Sequence, residues 1–283
     1  MINAKCSGNW CLDRDRLGIT KILLQHGVRV FGSVRRAQDA ERLSKEFREG
    51  LVPLLFDVTE EAAVQAAAQQ VREQLNGETL IGLVNNAGIA APGPLIYLPT
   101  DDFRHRLEVN LISVLIVTKA FMSLLGCDRS LRGKPGHIIN SSSVSGKIGF
   151  PFVGAYAASK RGVEGFSETL WRELMLYGID VIIIGPGSVA TPIWDKAEQA
   201  DISMYADREY VESPKRAQEY MIRNRTTRYP PEKVGEVTWQ ALITSKPRTR
   251  YAVVPDNFLS RLIPMFLRRR VMDRLIARNL GFK

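Results

Sequence analysis

The sequence predicts an α/β protein: a doubly wound, mostly parallel sheet flanked by helices on both faces. Short runs rich in β-branched residues alternate with longer stretches of helical pattern, the order produced when strand, helix and strand repeat around one parallel sheet. Several of those runs are apolar at consecutive positions, as in Val181-Ile182-Ile183-Ile184, which suits strands covered on both sides rather than a half-exposed sheet. The length of 283 residues supports one large core and is short for two, and no repeat, linker or low-complexity tract divides it.

Taken in chain order, a helix is expected over Leu17 to Gln25, closed by Gly27, a residue type that ends helices by adopting the left-handed conformation. Strands follow over Val28 to Val34 and Val52 to Val58, with a helix over Ala37 to Arg48 between them. Next come a helix over Glu60 to Leu75 and strands over Leu80 to Asn85 and His137 to Ser142. A long helix over Ala155 to Tyr177 precedes strands over Asp180 to Ile184 and Tyr251 to Val254. The polar stretch 195–229 interrupts this rhythm between the last two strands. Ligands of open α/β sheets bind at the carboxyl ends of strands, so a substrate lid is expected there.

Composition narrows the function classes. The formal charge of +9 is compatible with nucleic acid, an anionic surface or a phosphorylated ligand, but no nucleic-acid-binding motif accompanies it, so no nucleic-acid partner is expected. No uncharged apolar run approaches the roughly 20 residues of a membrane span, and no secretory pattern opens the chain. Three cysteines, Cys6, Cys11 and Cys127, make neither a disulfide framework nor, without neighbouring histidines, a zinc site. A cytoplasmic protein without a metal is the expectation.

The residues that carry chemistry begin with Tyr156 and Lys160 in Ala-Tyr-Ala-Ala-Ser-Lys, four apart and therefore on one face of a helix. A phenol is a poor acid or base at neutral pH. An adjacent ammonium favours the phenolate and makes such a tyrosine a plausible general acid/base. Thirteen residues upstream, the run Ile138-Ile139-Asn140 enters Ser141-Ser142-Ser143, and a hydroxyl at that strand end can hydrogen-bond a carbonyl oxygen as charge develops on it. A plain serine-rich turn is the competing reading, more natural for Ser141 than for Ser143. Asn85-Asn86-Ala87-Gly88 follows another apolar strand, and Asn110 stands within a helix, where asparagine is a mediocre former and suggests a specific hydrogen bond.

Together with Pro186-Gly187 and Thr191, these motifs resemble the short-chain dehydrogenase/reductase family in order and spacing, from about Leu17 to Thr191. The resemblance implies a single Rossmann-like domain and reversible hydride transfer between a nicotinamide cofactor and an alcohol or carbonyl. It implies that Tyr156 passes the proton, Ser143 orients the carbonyl, Lys160 binds the nicotinamide ribose and tunes the tyrosine, and Asn110 holds a relay water. Asp57 and Val58 would lie beside the adenine, Asn85, Ala87 and Gly88 beside its ribose, and Pro186, Gly187, Val189 and Thr191 around the nicotinamide. At the end of the second strand, Gly32-Ser33-Val34-Arg35-Arg36 lacks the acid that NAD users carry. Arg35 or Arg36 could pair a 2′-phosphate, so NADP is expected over NAD; the alternative is that both arginines solvate a loop.

One part of the pattern is missing. The family opens with an apolar strand and Thr-Gly-x-x-x-Gly-x-Gly, whose helix amides face the pyrophosphate. Eleven residues before Gly27, where the third glycine belongs, stands Arg16, and Asp13 and Asp15 bring negative charge. No strand-like run is evident in residues 1–16, so neighbouring ladders are expected to lack a partner. Trp10 is encoded by TGG and Cys11 begins TG, so reading one base later forces glycine. Over Asn9 to Arg16 the shifted frame permits Thr-Gly-Ala-Ser-(Thr or Ile)-Gly-Ile-Gly, joining Leu17 in register. A frame change over this segment is the expectation; a relative that has lost its cofactor and acts as a binding or scaffold protein is the alternative from another class.

For the substrate, Phe150, Pro151, Phe152, Ile193 and Trp194 would form apolar walls suited to a lipophilic alcohol or ketone, with ordinary core packing as the competing reading. The segment 246–251 and the basic tail 256–283 are similar to the retinol and hydroxysteroid branch. A 3-oxoacyl-thioester reductase is the runner-up, its acidic carrier matching a basic surface. The tail from Leu262 to Leu280 mixes apolar residues with arginines, a pattern that fits an anionic bilayer or a sister subunit. A homo-oligomer is implied by the family alone.

Overall fold

The computed structural model describes residues 2–3, 14–187, 189, 229–254 and 269–280. Its strands are β1 (Ile2–Asn3), β2 (Val30–Val34), β3 (Leu51–Leu55), β4 (Gly82–Asn85), β5 (His137–Ser141), β6 (Val181–Pro186) and β7 (Arg250–Val253). They form one sheet in the order β3-β2-β1-β4-β5-β6-β7, with every pairing parallel. The helices are α1 (Arg14–Gln25), α2 (Ala37–Phe47), α3 (Glu61–Gln74), α4 (Thr100–Leu107), α5 (Ser113–Phe121), α6 (Gly154–Leu174), α7 (Glu232–Ile243) and α8 (Arg269–Leu280). The doubly wound α/β class expected from the sequence is the one found.

Consecutive apolar residues divide between the two faces of the sheet. Leu83, Ile138 and Val181 pack on one side with Val64 and Val71 of α3 and Val117 and Phe121 of α5. Their chain neighbours Val84, Ile139 and Ile182 pack on the other with Ile19 and Leu23 of α1, Leu43 of α2 and Leu242 of α7. Side chains alternate across a strand, so two covered faces demand an unbroken apolar run. Each fully buried aliphatic side chain of this kind contributes about 1.5–3 kcal/mol.

Two expectations about the N-terminus are corrected. A strand does precede the first helix: Ile2 lies opposite both Gly32 of β2 and Val84 of β4, and Asn3 opposite Asn85. The neighbouring ladders therefore have a central partner, two residues long, too short to leave a periodic signature. The first helix also begins at Arg14 rather than Leu17. It is held by close contact with α7. A Cβ on Gly18 would lie 2.5 Å from the Pro231 carbonyl carbon, and one on Gly235 would lie 2.6 Å from the Gly18 oxygen.

The sheet reverses its winding direction between β1 and β4, and the carboxyl ends of β4, β5 and β6 open beside that point, where ligands of such sheets bind. Among the described residues, Thr100–Leu125 is long and apolar enough to cross a membrane by length and composition. Within this fold it packs on the sheet, with Val109, Val114, Val117 and Phe121 buried.

Candidate active site

Helix α6 carries the central pair. Tyr156 and Lys160 are one turn apart, and the Lys160 side chain is buried, 4% exposed. Burial of an ammonium is costly unless its donors find partners. The Nζ of Lys160 donates to the main-chain carbonyl of Ser141, at the end of β5, at 2.8 Å. It also stands 5.8 Å from the centre of the Tyr156 ring, within the range at which a cation is attracted to a π face.

Asn110 joins this pair from a different helix. Between α4 and α5 the chain makes a π turn, Glu108–Ile112, the widened turn that recurs at functional positions. Asn110 at its centre is fully buried. Its Oδ1 accepts from the Ile89 amide at 2.8 Å, while Nδ2 donates to the Ile89 carbonyl and to Ser159 Oγ, each at 2.9 Å. Ser159 Oγ in turn donates to the main-chain carbonyl of Tyr156 at 2.7 Å. The asparagine thus ties the loop after β4 to the turn of α6 that holds the tyrosine, and in this structure its side chain is committed to protein partners.

The three serines after β5 have separate tasks. Ser141 offers its carbonyl to Lys160, and Ser142 Oγ donates to Glu164 Oε1 at 2.7 Å. Ser143, 8% exposed, caps the short helical turn Val144–Gly146 by accepting from the Ser145 amide at 3.1 Å. Accepting from that amide leaves the hydroxyl hydrogen of Ser143 available to donate to another group.

The remaining predicted residues fall into groups. Gly88, expected beside the adenine ribose, lies instead at the Lys160 end: a Cβ there would lie 3.5 Å from both Asn110 Oδ1 and Lys160 Nζ. Gly187 donates its amide to the Val253 carbonyl at 2.8 Å, following Pro186, and Val189 bridges to Tyr229. Asn85 turns its side chain into the core, donating to Thr118 Oγ1 and Asn140 Oδ1, so its amide works as an inter-strand strut. Val58 and Ala87 are buried. Asp57 accepts from the Thr59 amide and hydroxyl at 3.0 and 2.8 Å and lies 3.5 Å from Arg35. Arg36 is exposed at the start of α2. Phe152 is buried at φ +67°, a strained value for a bulky residue, and its carbonyl accepts from the Gly93 amide. Phe150 is 42% exposed and lies at the surface. Thr191, Ile193, Trp194, residues 195–228 of the expected lid and residues 256–268 and 281–283 of the tail lie outside the described residues.

A nicotinamide dinucleotide fits this chain at one end. The space beside Gly88, which a side chain would fill, borders the Lys160 ammonium and the Tyr156 helix, as a ribose and its ring require. At the pyrophosphate end, α1 opens with Arg14, Asp15 and Arg16 in place of glycines, and residues 4–13 lie outside the described segments.

The signal missed in the sequence is Ser159. It stands inside Tyr-Ala-Ala-Ser-Lys and reads as helix filler, yet it couples Asn110 to Tyr156. Its position three residues after the tyrosine, on the same helix face, was the available clue.

Comparison with known proteins identifies the family and the fold. A short chain dehydrogenase family model matches residues 17–202, beginning just past the anomalous segment. The chain is 32% identical over 262 residues to the NADPH-dependent 3-dehydrocapnine reductase of Ornithobacterium rhinotracheale, covering 93% of this chain and 92% of that protein. It is 36% identical over 264 residues to retinol dehydrogenase 16 of Homo sapiens, covering 88% and 80%. Among solved structures, a short chain dehydrogenase/reductase from Burkholderia phymatum in complex with NAD superposes with a TM-score of 0.75 at 21% identity, covering 97% and 94%. An actinorhodin polyketide ketoreductase with NADPH gives 0.70 at 27%, covering 91% and 97%. With the family model spanning most of the chain and two relatives above 30% identity matched over at least four fifths of each chain, the protein belongs to the short-chain dehydrogenase/reductase family, in its retinol and hydroxysteroid dehydrogenase-like branch.

Proposed function

We propose that this oxidoreductase interconverts a lipophilic alcohol and its ketone or aldehyde, with NADP preferred over NAD and Tyr156 as general acid/base. The nicotinamide cofactor supplies or accepts the hydride when bound. In the reductive direction the hydroxyl of Ser143 hydrogen-bonds the substrate carbonyl oxygen, and the Tyr156 phenol delivers a proton to that oxygen as charge accumulates on it. The Lys160 ammonium favours the phenolate left behind and reaches toward the cofactor ribose. Asn110 and Ser159 hold the tyrosine's turn of α6 in place. Oxidation of an alcohol runs the same proton transfer backwards.

The observation that carries this reading is Lys160 Nζ bonded to the Ser141 carbonyl at the end of β5 and 5.8 Å from the centre of the Tyr156 ring, which supports a shared task for the ammonium, the phenol and the serine-bearing strand end. The NADP preference is supported by Arg35 and Arg36 after β2 and by the NADPH dependence of the 3-dehydrocapnine reductase. Arg35 is drawn toward Asp57, so a 2′-phosphate would compete with that carboxylate for the guanidinium. The lipophilic substrate class is supported by the retinol dehydrogenase relatives and by the buried Phe152. The basic helix α8, with Val271 and Leu275 40% and 47% exposed, suits peripheral contact with an anionic bilayer or a second subunit.

The test is a fluorescence titration with NADPH and NADH, followed by turnover of retinaldehyde, a 17-oxosteroid and an acetoacetyl thioester. Tighter binding of NADPH and turnover of the first two support the reading. Turnover of the thioester alone moves the protein to the acyl-reductase class. A second reading rests on the missing glycines: a binding protein without cofactor, which would bind neither nucleotide.

A further inference from the structure

Glu164 lies on α6 one turn beyond Lys160 and is 4% exposed, yet it has no part in the chemistry described so far. Its Oε1 accepts from Ser142 Oγ at 2.7 Å. The Nε of Arg250, on β7, reaches both carboxylate oxygens at 3.1 and 3.2 Å, and Lys147 Nζ lies 3.0 Å from Oε2. Burial alone would raise the Glu164 pKa. Hydrogen bonds from Ser142 and Lys147, with the charge and hydrogen bond of Arg250, outweigh it and hold the pKa below the usual value. The group is therefore a carboxylate at neutral pH, and a buried charge of this kind is expensive to strand without partners.

Arg250 continues the connection. Its Nη2 donates to the main-chain carbonyl of Ser143 in a long contact of 3.4 Å. The guanidinium lies across Gly185 of β6, where a Cβ would come within 2.2 Å of Nη2. A Cβ on Gly146 would come within 2.5 Å of Ser142 Oγ and 3.2 Å of Glu164 Cγ. Two glycines thus leave room for one arginine and one glutamate to reach the same turn, from positions 86 residues apart in the chain.

We infer that Glu164 and Arg250 are positioning residues that clamp the Ser142-Ser143 turn, Glu164 through the Ser142 hydroxyl and Arg250 through the Ser143 carbonyl, so that the Ser143 hydroxyl is presented to the reacting oxygen. The inference rests on the assignment of Ser143 made above. Neither residue touches substrate. Charge on Arg250 is not sufficient for the role, because one planar guanidinium serves the carboxylate and the carbonyl together, a geometry that a lysine does not reproduce.

The experiment uses the full chain carrying Arg250→Lys or the isosteric Glu164→Gln, with thermal unfolding and NADPH binding as controls. The first readout is amide hydrogen exchange. The Ser142, Gly146 and Lys147 amides are bonded to Ile184, Ser143 and Val144 carbonyls and report the turn directly. Exchange at 142–147 is expected to quicken at least tenfold while β4 and α3 are unchanged. The second readout is a double-mutant cycle on NADPH-dependent reduction of retinaldehyde. Arg250→Lys is expected to lower kcat at least tenfold with KM within twofold, and to change kcat less than twofold when Ser143 is already alanine. Unchanged exchange at the turn overturns the clamp, as does a rise spread over the whole sheet or a full kcat loss persisting in Ser143→Ala. If Ser143→Ala itself leaves kcat intact, the assignment of Ser143 fails, and the exchange readout alone decides the clamp.

Discussion

Asn110 and Ser159 meet side chain to side chain at 2.9 Å, joining the π turn between α4 and α5 to the turn of α6 that carries Tyr156. The serine relays this contact to the Tyr156 carbonyl, and the asparagine anchors on both main-chain groups of Ile89. Three segments far apart in sequence are thereby fixed around Gly88, the position that borders Lys160. The site is a junction of the strand-β4 loop, the π turn and the long helix, tied together by satisfied buried hydrogen bonds.

Replacing Ser159 with alanine leaves one Asn110 donor and the local Tyr156 carbonyl bond without this partner. Loss of a buried hydrogen-bond partner costs about 1–3 kcal/mol. The expected outcome for Ser159→Ala is a loss of that size in chemical denaturation. Turnover is expected to fall by about tenfold, since a displaced catalytic group forfeits orientation. Unchanged stability and unchanged kcat would show that the relay through Ser159 is idle.

His137 opens β5 with its side chain largely buried and Nδ1 3.7 Å from Asp180. Burial lowers its pKa from 6.5 more than Asp180 raises it. The unfolded chain takes up a proton near pH 6.5 while the folded chain resists it, so stability is lost as the pH falls through 6.5 toward the lower folded value. One such group gives a slope of at most about 1.4 kcal/mol per pH unit. His137→Gln is expected to flatten the denaturation midpoint between pH 7 and pH 5; an identical slope in the variant would contradict the assignment.

The sheet was legible in the sequence because both its faces are covered, which forces runs such as Val181 to Ile184 to be apolar at every position. Most strand boundaries therefore fall within two residues of those expected, although the strand expected to reach Val58 ends at Leu55. β1 was not legible, since Ile2–Asn3 is too short to show a period. Tyr156, Lys160 and Ser143 stood out through spacing, and Asn110 as an asparagine within a helix. Ser159, Glu164 and Arg250 did not: a helix serine and an isolated ion pair acquire meaning only when folding brings β5, α6 and β7 together. Arg35 and Asp57 are a similar case, because their separation of 3.5 Å arises from adjacent strand ends.

The segment 9–16 makes a prediction at the level of the gene. If its codons, read one base later, spell a glycine loop, then restoring that loop should rebuild the anion site at the start of α1. A variant carrying Thr-Gly-Ala-Ser-Thr-Gly-Ile-Gly at 9–16 is expected to bind NADPH at least tenfold more tightly than the chain as it stands. Equal affinity would mean that the pyrophosphate is held elsewhere, and a nucleotide sequence without those shifted glycine codons would end the frame explanation.

In the proposed mechanism Tyr156 passes the proton while Ser143 and Lys160 serve it. The most direct measurement compares steady-state reduction of retinaldehyde by the wild-type chain and by Tyr156→Phe, with NADPH affinity and thermal unfolding measured alongside. General acid/base groups contribute about 10²–10⁴-fold. Tyr156→Phe is therefore expected to lower kcat by at least 10²-fold, with cofactor affinity and melting temperature held. Turnover by the phenylalanine variant within a few-fold of wild type would contradict the account.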